Sequence, residues 1–184
     1  LENTHNRCGG VVLSVEYTQA VGELAHSQNL QLHIDGARIF NAATALQVDV
    51  KDLVAPADSV MFCLSKGLAS PIGSVLVGTR KFIQRARHIR KMLGGGMRQV
   101  GIVAAAGIIS LEKMTKRLGD DHARARRLTE ALRLIKGIVL DENTPHTNMI
   151  YFNLGDSVRL GTDQIEKALE ERGILAHSSG PRRF

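Results

Sequence analysis

Leu30-Gln31-Leu32-His33-Ile34-Asp35-Gly36-Ala37-Arg38 alternates apolar and polar residues as far as Asp35 and breaks at Asp35-Gly36. A period of two is that of a half-buried strand, and Asp-Gly is turn chemistry. The stretch therefore reads as a strand ending in a loop. A second run, Ser59 to Leu64, is short and apolar, which fits a buried strand, and it is broken by Ser65-Lys66-Gly67.

Outward from these two runs, helical and extended patterns alternate. Val15, Ala20, Val21, Leu24 and Ala25 recur at helical spacing between Ser14 and Gln28. Ala42, Ala43 and Ala45 favour a helix over 37–46. Gly73 to Val77 reads as another apolar strand and Thr79 to Met92 as a basic helix. Gly94-Gly95-Gly96 is a turn. Gln99 to Arg117 is apolar around most of a helical circumference, so it is expected to be mostly buried. Asp120 to Lys136 reads as an amphipathic helix.

Beyond it the rhythm changes. Strands are expected over 137–140, 149–154 and 174–177, with a helix over 162–172 that uses Thr162 as its N-cap. The expected fold class is α/β: a mainly parallel sheet covered by helices over 1–117, then a small α+β domain over 118–184.

Composition narrows the function classes. A chain of 184 residues, 43% hydrophobic, can bury a real core. No apolar run reaches the roughly 18 residues of a membrane span, and no secretory signal is visible. The first residue is Leu1 rather than Met. A piece of a longer protein is therefore expected, in the cytoplasm, or in mitochondria if a targeting segment precedes Leu1. Cys8 and Cys63 have no motif spacing, which fits free thiols in a reduced compartment, and no Cys/His cluster predicts a metal.

The net charge of +6 raises nucleic acid as a partner. Its basic helices also carry Glu112, Asp120, Asp121 and Glu130, and aromatics make up only 4%. Solvated helix faces are the better reading, with no nucleic-acid or membrane partner.

Asp35 and Lys66 both stand at predicted strand ends, where open α/β sheets collect ligands. Each has an ordinary reading, a turn aspartate and a surface loop lysine. A lysine there can also be a Schiff-base lysine. Together, a strand-end carboxylate followed by a strand-end Ser-Lys is the arrangement of a pyridoxal 5'-phosphate site. There the carboxylate keeps the ring nitrogen protonated and the lysine bonds the aldehyde carbon.

Leu1 to Gly10, His33 to Asn41 (HIDGARIFN), Ser65 to Ser74 (SKGLASPIGS) and Gly94 to Gln99 (GGGMRQ) together resemble the low-specificity L-threonine aldolases. The resemblance covers essentially the whole chain and implies the type I fold of pyridoxal phosphate enzymes. It implies that Lys66 holds the cofactor, that Asp35 partners the pyridine nitrogen, and that Arg38 grips the substrate carboxylate with its forked guanidinium. His5 matches a histidine near the substrate hydroxyl, acting as a base or through an orienting hydrogen bond. The other histidines match no catalytic role.

The implied reaction is aldol cleavage of L-threonine or L-allo-threonine, a β-hydroxy amino acid, to glycine and acetaldehyde. A homo-oligomer, dimer or tetramer, is implied too. Two departures stand out. The family's phosphate loop and ring-stacking histidine would precede Leu1, and an Arg-Leu-Val strand would follow Phe184. Arg182 and Arg183 are not assigned to the role of that arginine. The 184 residues alone are therefore expected to be inactive. A serine hydroxymethyltransferase-like enzyme of the same fold and a non-catalytic remnant remain as alternatives.

Overall fold

The computed structural model describes residues 1–184. The alternating run becomes strand β1, His33–Asp35, and the second apolar run becomes β2, Ser59–Cys63. They pair in parallel, with Ile34 opposite Val60 and Asp35 opposite Met61. The connection carries helices α2 (Ile39–Leu46) and α3 (Val50–Val54), the latter capped by Asp49 through the Lys51 amide. Residues 1–3 lie along the other side of β1, also parallel: Asp35 N donates to Leu1 O and Asn3 N to Asp35 O.

Strand β3 (Ser74–Gly78) pairs with β2 in the opposite sense. The reason is chain length. Only residues 64–73 join the two strands, and a parallel crossover needs about a dozen residues or more.

Paired residues of a ladder share a face, and neighbours along a strand alternate. Ile34 and Val60 face helix α1 (Val15–Ser27), packing with Val21 and Ala25. Phe62 points the same way, against Ile39, Ala42 and Leu53 of the adjoining core. His33, Asp35, Ser59, Met61 and Cys63 therefore line the opposite face. The hydrogen bond between His33 Nδ1 and Ser59 Oγ, 2.8 Å, agrees with that.

Helix α4 (Arg80–Met92) starts at Thr79, whose hydroxyl accepts from Phe82 N. Helix α5 (Gly101–Glu112) departs from expectation. It is largely exposed: Ile102 is 84% and Ile108 56% accessible. Only its Gly107 and Ser110 side meets protein, Ser110 Oγ donating to Leu68 O at 2.7 Å. Hydrophobic periodicity reports how apolar a helix is and does not report what covers it.

A short 3-10 turn, Met114–Arg117, leads into α6 (Leu118–Arg133), which begins two residues earlier than expected. Leu118, 1% exposed, packs on Leu64 and Leu68. Helix α6 touches both α2 and strand β4 (Ile138–Leu140), which pairs antiparallel with β5 (Phe152–Leu154).

The strand expected over 174–177 does not form, because residues 182–184 occupy the free edge of β5. Phe152 N donates to Phe184 O, and Leu154 N donates to Arg182 O. Helix α7 (Thr162–Glu170) is capped by Gly161, not Thr162. The Thr162 hydroxyl donates to Pro181 O instead. No helix is long and apolar enough to cross a membrane.

Candidate active site

Three chain segments end side by side at the C-terminal edge of the parallel strands. Residues 1–3 run out toward His5, β1 ends at Asp35, and β2 leads through Leu64 into the Ser65-Lys66-Gly67 loop. Neighbouring strands lie about 4.8 Å apart, so these ends are held close by backbone hydrogen bonds alone. Gly36 N donates to Met61 O at 2.8 Å. A Cβ on Gly36 would stand 3.0 Å from that same oxygen and 3.0 Å from Ile39 Cβ, so the close approach of β1 to β2 favours glycine.

Asp35 is half-buried. Its Oδ1 accepts from Ala37 N at 3.0 Å, which ties the carboxylate to the turn, and its other oxygen has no protein partner. Arg38, half-buried, stands at the N-cap of α2 and makes no cap hydrogen bond. Lys66 is exposed. None of Asp35, Arg38 and Lys66 takes part in an ion pair.

His5 Nε2 lies 3.2 Å from Glu2 Oε2, and its Nδ1 is buried without a partner. Just before it, Thr4 has φ 59° and is 1% exposed. A β-branched residue in the left-handed region is an outlier, costing about 1–3 kcal/mol, and persists only where its surroundings hold it. Asn3 supplies the hold. Its carboxamide accepts from Leu13 N and donates to Leu13 O, both at 3.1 Å. Ala69, three residues after Lys66, also has a positive φ, 58°.

Behind the lysine loop lies a buried polar cluster. Asn41 Nδ2 is 3.1 Å from His122 Nε2 and donates to Asn148 Oδ1 at 3.3 Å. Burial, with Arg126 nearby, pushes the His122 pKa below its ordinary value, against a weaker opposing pull from Asp121. Sequence reasoning passed over Asn3, Thr4, Asn41 and His122 as site residues. Asn3 and Asn41 belong to the motif stretches and could have been singled out there. No local signal marks His122, which stands 81 positions from Asn41.

A family model described as beta-eliminating lyase matches residues 1–154. Low-specificity L-threonine aldolase 1 of Arabidopsis thaliana is 51% identical over 175 residues, 95% of this chain and 49% of that protein. The low specificity L-threonine aldolase of Escherichia coli (strain K12) is 44% identical over 179 residues, 97% of this chain and 51% of that protein. The chain thus spans about half the length of the curated relatives it matches. Among solved structures, the threonine aldolase of Leishmania major superposes with a TM-score of 0.76 at 17% identity, over 98% of this chain and 51% of that one. The fold is therefore the type I α/β fold that the motifs led us to expect. The strand-end glycine at position 36, the loop at 65–67 and a family match over 154 residues agree: this chain belongs to the beta-eliminating lyase family.

Proposed function

We propose that the protein containing this chain is a pyridoxal 5'-phosphate-dependent carbon–carbon lyase that cleaves L-threonine and L-allo-threonine to glycine and acetaldehyde. The observation that carries the reading is a carboxylate with a free oxygen and a lysine without an ion partner, Asp35 and Lys66, beyond the C-terminal ends of adjacent parallel strands. The donor set fits the cofactor. Asp35 suits a protonated ring nitrogen, Lys66 suits the aldehyde carbon, and the orphaned His5 Nδ1 is a polar atom awaiting a partner.

When bound, the protonated ring draws off the electron pair left on Cα as the Cα–Cβ bond breaks. The chain's own residues do the rest. Asp35, braced by the Ala37 amide, keeps its outer oxygen for the ring nitrogen. Arg38 grips the substrate carboxylate, which orients the bond to be broken. The Glu2 carboxylate, 3.2 Å from His5 Nε2, holds the imidazole in place. His5 takes the β-hydroxyl proton or orients the hydroxyl. Lys66, which has no ion partner in this chain, would carry a proton to Cα.

Residues 1–117 are read as part of the large domain and 118–184 as part of the small one. A homo-oligomer, dimer or tetramer, is also proposed, supported by the exposed isoleucines of α5. The free thiols of Cys8 and Cys63 fit a cytoplasmic setting.

The test supplies L-allo-threonine and pyridoxal phosphate to a protein containing this chain. Glycine and acetaldehyde are expected. Lys66→Ala should abolish both cofactor capture and turnover, and Asp35→Ala should weaken the first and slow the second strongly. Transfer of the amino group to an oxo acid, or wild-type turnover in either variant, refutes the reading.

A further inference from the structure

Gly67, next to the lysine read above as the cofactor holder, packs against a buried carboxamide. A Cβ at Gly67 would stand 2.7 Å from Asn41 Oδ1, 3.2 Å from Leu118 Cδ2 and 3.4 Å from Asn41 Nδ2. Asn41 is 2% exposed and His122 3%. A side-chain oxygen at the surface could swing aside, but this one is pinned. Asn148 Oδ1 only accepts, so the Asn41 amide nitrogen faces it. The same nitrogen meets His122 Nε2, which must then accept, so the imidazole is neutral with its proton on Nδ1. Asn41 Oδ1 is thereby turned to the Gly67 side.

Three separate parts of the chain converge here: α2, α6 and the segment before β5. Helix α2 also begins just after Arg38, one turn from Asn41. A buried carboxamide is costly to leave unmatched, whereas an apolar residue could fill such a place. Its presence is accounted for if it sets a geometry.

We propose that Asn41 is a positioning residue for Lys66: its carboxamide, pinned by His122 and Asn148, is the stop on which Gly67 closes, and so sets where the lysine presents its amine. The proposal rests on the reading of Lys66 given above. Asn41 touches neither substrate nor cofactor in this account. It acts through the 64–70 loop, and through α2 it links that loop to the arginine.

The experiment is reductive trapping of pyridoxal phosphate on Lys66 with borohydride, followed by the mass of the Lys66 peptide, in a protein containing this chain. Gly67→Ala should slow trapping by about tenfold or more, since a displacement of a full ångström at a reacting group can cost about a hundredfold. Asn41→Ala removes the nearest atom that a Gly67 methyl would strike, leaving only the flexible end of Leu118 at 3.2 Å. The double variant should therefore trap no more slowly than Gly67→Ala alone. If Asn41 contributes only general stability, the two losses multiply, and the proposal is overturned.

His122→Gln keeps an acceptor for Asn41 Nδ2 and should trap at near the wild-type rate, while His122→Leu should fall with Asn41→Ala. Equal losses in the two His122 variants, both folded by circular dichroism, also overturn it. This pair remains decisive if Asn41→Ala fails to fold. Should wild-type protein trap nothing, the reading of Lys66 fails, and hydrogen exchange then judges Asn41 separately. Faster exchange confined to residues 64–70 in Asn41→Ala supports the stop, and unchanged exchange there sinks it.

Discussion

Replacing Ile34 by Ala tests the alternation on which the site depends. Ile34 is 1% exposed, at the middle of β1, between Val60 on the next strand and Val21 and Ala25 of α1. The substitution removes three buried carbons. At about 0.8 kcal/mol per methylene, the lost transfer energy is about 2.4 kcal/mol. The vacated space is roughly 80 Å³, and if half stays empty at about 24 cal/mol per Å³ the cavity adds about 1 kcal/mol. The expected loss is about 3.5 kcal/mol, inside the usual range of about 2–5 for such truncations. Urea unfolding followed by circular dichroism reads it as a lower midpoint with an unchanged slope. Leu30→Ala, at a position 61% exposed, is the control and should lie within about 0.5 kcal/mol of wild type. If Ile34→Ala cost no more than that control, Ile34 would not face the core. Asp35 would then not face the opposite side, and the site geometry would fail with it.

Three further outcomes follow from particular contacts. His122 is harder to protonate folded than unfolded, so the unfolded chain takes up the proton first as pH falls. Its stabilisation is complete above its ordinary value of 6.5 and is lost as the pH drops below it. Urea midpoints measured on both sides of that value should fall toward acid in wild type and less so in His122→Gln; parallel curves would contradict the buried neutral imidazole. Asn3→Ala leaves both polar groups of the Leu13 peptide without their partner and should cost about 1–3 kcal/mol in thermal unfolding, a negligible change counting against its role in holding Thr4. Gly36→Ala forces a methyl to 3.0 Å from Met61 O, a backbone atom that cannot swing aside, and should destabilise by about 1–3 kcal/mol; an unshifted melting temperature would show that β1 and β2 have room to part.

The outcome of the exposed helix is instructive. Gln99 to Arg117 is so apolar that a buried helix was the natural expectation, yet Ile102 and Ile108 face outward and only Gly107 and Ser110 are buried. The missing strand over 174–177 has the same root. Its residues are extended-type, but the edge they would need is taken by Arg182 and Phe184. In both cases the competition for partners was invisible in the local pattern.

What the sequence determined by itself is what depends on near neighbours. Alternation through Leu30 to Asp35 makes a strand whose even positions are apolar, the Asp-Gly pair ends it, and the apolar run to Leu64 makes the next one with Lys66 just beyond. The tertiary structure alone decided that His5 is left with an unmatched nitrogen. It alone brought His122 across 81 positions onto Asn41, behind the lysine loop. Propensity and periodicity act over a turn or a strand, whereas a hydrogen bond between two buried side chains exists only once the packing of every element between them has brought them together.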